Sequence, residues 1–285
     1  MRDLLVGAVD MHVHCAPDVV PRKLGVLELA ERAKAAGMRA VVIKSHAFCT
    51  APLAKVVAEA TGFEVFGGLA LNDPVGGINP EAVRAAIALG AKVIWMPTLS
   101  ARNHIERLKG APAYLRSLGG GGKGIYVIDA SGRLRPEVIE VMELVGEAGA
   151  VLATGHLSFS EVLALAEEAQ RRGLRKLVVT HPEFHIISMT KEQQRQLLPF
   201  GVYFERCYFA VTQLGQGLDP SVIAEDILET APQRTILASD LGQVENPDPL
   251  EGLERLLKAM LRHGLSEEDL RLMVVDNPHR LLDLR

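Results

Sequence analysis

The chain has 285 residues, of which 48% are hydrophobic, 23% charged and only 5% aromatic, and its 31 basic and 35 acidic side chains leave a formal charge of −4. This composition excludes a disordered, collagen-like or disulfide-stapled chain. The mildly acidic balance, with no basic stripe, argues against nucleic acid or an anionic membrane surface as a partner.

Short runs rich in Val, Ile and Leu alternate with longer Ala-, Leu- and Glu-rich segments of helical spacing, the βαβα order of a parallel sheet. Eight runs read as strands: Leu5 to His14, Arg39 to His46, Phe63 to Leu71, Lys92 to Pro97, Ala150 to His156, Lys176 to His181, Gly201 to Arg206 and Thr235 to Asp240. Helices are expected around 25–36, 52–60, 80–89, 136–148, 159–172, 190–198, 219–230 and 249–263. Gly37, Gly62, Gly90, Gly149, Gly173 and Gly264 fall just past these helices, where a left-handed cap costs glycine least. Pro52, Pro80, Pro136 and Pro220 occupy first-turn positions, and Ser160 reads as a cap. Eight strands close a TIM-type (β/α)8 barrel, expected as one domain over 1–285.

One spacing departs from the rest. The fourth and fifth strand ends stand 59 residues apart, the others 25 to 34. The excess, about 99–135, reads as an insertion with a glycine run and a hairpin turning at Ser131-Gly132, placed over the mouth as a lid or interface element. Gly119, Gly121 and Gly124 match GxGxxG in form, yet they lead into a strand rather than a helix and offer no pyrophosphate site. The tail opens with Ser266 and a capping-box pattern, which predicts a last helix over about 266–282.

What terminates the strands carries the chemistry. His12 and His14 end the first, Lys44 and His46 the second, His156 the fifth, His181 the sixth and Asp240 the eighth, with Glu205 near the end of the seventh. Side chains alternate along a strand, so His12/His14 and Lys44/His46 each share a face. All of these ends open on the C-terminal face, where barrel enzymes keep their sites. Four imidazoles and a carboxylate suit zinc first, with manganese, iron or nickel also able to use them, and they leave a coordination position for water. Such an ion, one or two per chain, activates water for hydrolysis.

The segments VDMHVH, ATGH, VVTH, ASD and NPHRLLDL resemble the amidohydrolase superfamily of metal-dependent hydrolases along essentially the whole chain. The resemblance implies that His12, His14, His156, His181 and Asp240 are the metal ligands and that Asp240 is also the general base. It implies attack of metal-activated water on an amide, ester or lactone carbonyl. One departure stands out: many members carry a bridging carboxylated lysine or a glutamate at the end of strand 4, where this chain reads AKVIWMPT. The site is then mononuclear, or strand 2 supplies the missing function.

Lys44 has three readings: a cation for an anionic substrate group, a carboxylated bridging ligand, or a structural ion pair with Glu205 or Asp10. His46 reads as a supporting group, a further ligand or a transition-state donor. Glu205 needs a partner in its apolar strand, either metal, Lys44 or substrate, unless a register shift turns it outward to a salt bridge. Glu183 and His185, in the loop after His181, are expected to touch substrate. His104 is a weaker candidate, and His263 and His279 read as surface or packing residues.

Cys15, Cys49 and Cys207 match no disulfide framework, zinc ribbon or CxxC site. The start of the chain lacks the apolar core of a signal peptide, and no 18-residue apolar run occurs. The expected setting is the cytoplasm, with a small, anionic substrate, no nucleic-acid or membrane partner, and the strand 4 segment as a homo-oligomer contact. Two alternatives remain: a phosphoesterase of the polymerase-and-histidinol-phosphatase type, which also begins with HxH, and a non-catalytic metal- or metabolite-binding barrel.

Overall fold

A computed structural model describes residues 4–108, 122–230 and 232–284. Eight parallel strands follow one another in sheet order: β1 (Val9–Val13), β2 (Ala40–Ile43), β3 (Glu64–Ala70), β4 (Val93–Trp95), β5 (Val151–Ala153), β6 (Leu177–Thr180), β7 (Tyr203–Cys207) and β8 (Thr235–Ala238). Backbone hydrogen bonds from Asp240 N to His12 O and from His14 N to Leu241 O, both 2.8 Å, return the last strand to the first. The arrangement is the expected (β/α)8 barrel.

Each strand is followed by helix. These are α1 (Val26–Ala35), α2 (Ala51–Thr61), α3 (Pro80–Ala88), α4 (Arg102–Arg107), α5 (Pro136–Glu147), α6 (Phe159–Arg172), α7 (Lys191–Leu197), α8 (Pro220–Glu229) and α9 (Pro249–Arg262), then α10 (Glu267–Arg271) and α11 (Asn277–Leu282) in the tail. Their apolar stripes face the barrel: α9 buries Leu253, Leu256, Leu257 and Met260, spaced for one face of a helix. The six glycines expected past the helices all have positive φ. The cap of α6 is Ser158 rather than Ser160, because the Glu161 carboxylate reaches back to Ser158 N and Oγ and so fixes the start of the helix there.

The strands are buried on both faces, and alternation sorts their side chains. Ala40 and Val42 point into the barrel and Val41 and Ile43 out toward the helices, so Lys44 follows the inward row. In β4 the inward residues are Val93 and Trp95. In β7 the outward Phe204 lies between the inward Tyr203 and Glu205. The β1–β2 register slips between Asp10 and Val13. Val9 and Met11 pack inside the barrel, and within the slip His12 does too. Leu281 and Leu282 of α11 join this inner cluster.

Of the segment expected as an insertion, residues 109–121 lie outside the described part, including Gly119 and Gly121. The remainder contains α4, which the sequence pattern did not predict, a parallel bridge between Ala101 and Ile125, and an antiparallel bridge between Ile128 and Leu134 around the expected turn.

Candidate metal centre

The ends of β1 and β8 bring three donors together. His12 Nε2 lies 3.0 Å and His14 Nε2 3.2 Å from Asp240 Oδ1. These ligand atoms lie within 4.8 Å of one another on buried residues. The backbone bonds that close the barrel run through these same residues, so the geometry is fixed by the sheet rather than by a loop. Asp240 and His181 leave their strands with φ of +50° and +27°, conformations uncommon outside glycine. Gly155, before His156, has φ +59°, and a Cβ there would lie 2.4 Å from Met96 O. Only glycine fits that close turn.

Behind this triad, Glu205 Oε2 stands 3.0 Å from His12 Nδ1. Glu205 therefore faces inward, and its carboxylate takes the Nδ1 hydrogen so that Nε2 points at the centre, as acidic partners of metal-ligating histidines do. Lys44 Nζ approaches His12 Nε2 to 3.0 Å and lies 5.0 Å from the centre of the Trp95 ring. Trp95 fills the inward position at the end of β4, consistent with the missing ligand there.

Electrostatics mark the same spot as built for a cation. Burial disfavours a charged His12, but Asp240 and Glu205 more than reverse this and push its pKa up to about 9, against the opposing Lys44. Burial would also raise Asp240, yet His12 and His14 hold it well below the usual carboxylate range. Burial drives Lys44 down, with Asp240 and Glu205 opposing. Without an ion, a proton on His12 offsets part of the negative charge that Asp240 and Glu205 place around it. The buried Nδ1 of His181 has no hydrogen-bond partner. A set of imidazoles and a carboxylate with surplus negative charge fits a divalent ion of the zinc type.

The other predicted histidines extend this centre. Ring centroids run 4.9 Å from His46 to His14, 5.4 Å on to His12, 6.3 Å to His181, 4.9 Å to His156 and 4.7 Å to His104. Six imidazoles thus cross the mouth in an unbroken row. His181 Nε2 lies 4.0 Å from Asp240 Oδ2, whereas His156 meets the carboxylate only through His181. Burial lowers the pKa of His14 and His104 to about 3, that of His181 to about 4, and those of His46 and His156 well below the ordinary value. His46 Nδ1 pairs with Thr98 Oγ1 at 2.9 Å.

Glu183 and His185 are not part of this row. Glu183 forms an ion pair with Arg206, on the outward face of β7. His185 donates its backbone N–H to Gln216 Oε1 and packs its ring on Phe184. Conversely, Arg22 was not foreseen: its Nη2 lies 3.3 Å from His14 Nδ1, and Asp18 holds it through a 2.8 Å bond from Nε. The only sequence signal for that pair is its i, i+4 acid-base spacing in a loop.

The model of a family of unknown function (DUF6282) matches residues 7–205. No curated protein matches the chain. Among solved structures, a Deinococcus radiodurans PTE-like lactonase mutant is 17% identical over 99% of this chain and 97% of that one, with TM-score 0.60. An amidohydrolase from Pseudomonas aeruginosa is 13% identical over 98% and 96%, with TM-score 0.63. A 2,6-dihydroxybenzoate decarboxylase complexed with 2,6-dihydroxybenzoate is 12% identical over 98% and 100%, with TM-score 0.59. What these structures share with this chain is the (β/α)8 barrel fold. Among the described residues no helix is long and apolar enough to cross a membrane.

Proposed function

This chain belongs to the family of unknown function DUF6282, and on that premise we propose that it is a metal-dependent hydrolase acting on an amide, ester or lactone carbonyl of a small substrate. The observation that carries the reading is the buried meeting of His12, His14 and Asp240 at the barrel mouth, with Glu205 orienting His12 from behind. His12, His14, His156, His181 and Asp240 would hold the ion or ions, zinc first. Bound there, a divalent ion supplies Lewis acidity, which polarises a carbonyl and acidifies water.

The chain's own groups divide the remaining work. Asp240 uses Oδ1 toward His12 and His14, which leaves Oδ2, on the His181 side, as the oxygen to accept a proton and return it to the leaving group. Lys44 and His46 flank the centre on β2 and its extension. A buried Lys44 with a depressed pKa offers either an ammonium for an anionic substrate group or a neutral amine that can be carboxylated. The fold is shared by lactonase and decarboxylase neighbours, so the bond broken must be found by assay.

The test is elemental analysis of protein purified without chelator, beside Asp240→Asn, followed by a screen of lactones, aryl esters and N-acyl amino acids with zinc or manganese. The reading expects about one or two equivalents of metal, reduced in the variant, and turnover that the variant lacks. No metal, even after reconstitution with zinc, manganese, iron and nickel, would overturn it.

A further inference from the structure

The segment after β4 brings no ligand from its strand, yet it reaches the site by another route. Helix α4 sets two consecutive side chains against the loops that carry His156 and His181. Asn103 Nδ2 donates to the backbone oxygens of His156, at 3.1 Å, and Ile186, at 2.9 Å. His104, 3% exposed, places its Nδ1 2.7 Å from His156 Nδ1, with the two rings stacked at 19°.

Two imidazole nitrogens at that distance share one hydrogen. His156 Nδ1 is therefore committed, and Nε2 is the nitrogen it has left for a ligand. Ligation through Nε2 requires the hydrogen to sit on Nδ1, so His104 Nδ1 must accept it and His104 must carry its own hydrogen on Nε2. That Nε2 is buried without a partner. The orphan is the cost of keeping an acceptor at Nδ1, and packing alone gives no reason to bury a histidine there.

We propose that His104 is a positioning residue for the metal centre, accepting the Nδ1 hydrogen of His156 and so fixing Nε2 of His156 as the ligating nitrogen. It would do for His156 what Glu205 does for His12. The inference rests on the metal-centre reading above. Loss of such a partner typically weakens metal binding by ~10- to 100-fold.

The test compares His104→Leu with His104→Asn, whose Oδ1 can stand where Nδ1 stood and still accept. Zinc affinity is measured by competition with a chromophoric chelator, and histidine tautomers by long-range 1H–15N spectra of the zinc-loaded full chain. The expected result is at least tenfold weaker binding of the ion at His156 in His104→Leu, near-native binding in His104→Asn, and an Nδ1–H tautomer for His156 in the native chain. Equal binding in all three proteins makes His104 a packing residue and overturns the proposal. Equal loss in both variants makes it a ligand or a folding requirement and also overturns it. A native chain that binds no zinc defeats the metal-centre reading itself, whereas the other two failures leave that reading standing.

Discussion

Arg22 rests its guanidinium 3.3 Å from Nδ1 of His14, while Nε2 of the same ring lies 3.2 Å from Asp240. A guanidinium has only donors, so His14 Nδ1 accepts, and the neutral ring carries its hydrogen on Nε2 toward the carboxylate. An ion at this centre needs the Nε2 lone pair, which moves the hydrogen to Nδ1, where Arg22 cannot take it. Ion binding and the Arg22 contact exclude each other.

Replacing Arg22 should therefore strengthen metal binding. Arg22→Gln replaces a donor-only group with an amide whose oxygen can accept the His14 Nδ1 hydrogen and removes a positive charge beside a cation site, and the two effects have the same sign. Zinc should bind roughly tenfold more tightly, the equivalent of ~1.4 kcal/mol, in a chelator competition at neutral pH. An affinity equal to that of the native chain would mean that Arg22 does not oppose loading.

Metal binding should release protons. His12, with its pKa pushed up to about 9, is charged at pH 7.5, and ligation through Nε2 requires it neutral. Asp240 is already ionised and contributes none. Titration calorimetry in buffers of different ionisation enthalpy should report about one proton released per ion at pH 7.5. An enthalpy independent of buffer would show that His12 enters the site neutral.

The barrel was legible because its signals are local and repeated: strand runs buried on both faces, glycine after the helices and proline at their first turns. That His12, His14 and Asp240 meet was legible because strand alternation and a shared barrel end constrain where they point. Arg22, Asp18 and α4 were not, since each acts through a loop whose path depends on tertiary contacts. Glu183 was placed by sequence position alone. Two residues after His181 it reads as a site residue, but its side chain pairs with Arg206 on the outward face of β7, beside Asp226.

That pair should matter to stability. Arg206 is fully buried and meets Glu183 and Asp226. Burial lowers its pKa only to about 10, so it stays charged at neutral pH. Removing one partner of a buried ion pair costs ~3–5 kcal/mol when it strands the other charge, and the Asp226 contact that Arg206 keeps at 3.6 Å holds the cost to the lower end of that range. Glu183→Ala should lose about that much in urea unfolding. A loss below ~1 kcal/mol, typical of surface pairs, would free Glu183 for the substrate contact its sequence position suggests.

The metal-free chain should weaken on acidification. His14, His104 and His181 titrate near 3, 3 and 4 when folded but near ~6.5 when unfolded. Below pH 6.5 the unfolded chain therefore binds more protons than the folded one, and stability falls with pH. His46 and His156, lowered further by burial, act in the same direction. Asp10 opposes them: burial raises its pKa to about 7, so the folded chain holds one proton that the unfolded chain lacks between about pH 4 and 7. His12 is protonated in both states below pH 6.5 and drops out. The histidines outnumber Asp10, and each excess proton gives a slope of ~1.4 kcal/mol per pH unit. Urea midpoints of chelator-treated protein should thus fall from pH 7 to pH 5, and His104→Asn should make the fall shallower by one proton's share. A midpoint that holds or rises at pH 5 would mean that these imidazoles are not buried neutral.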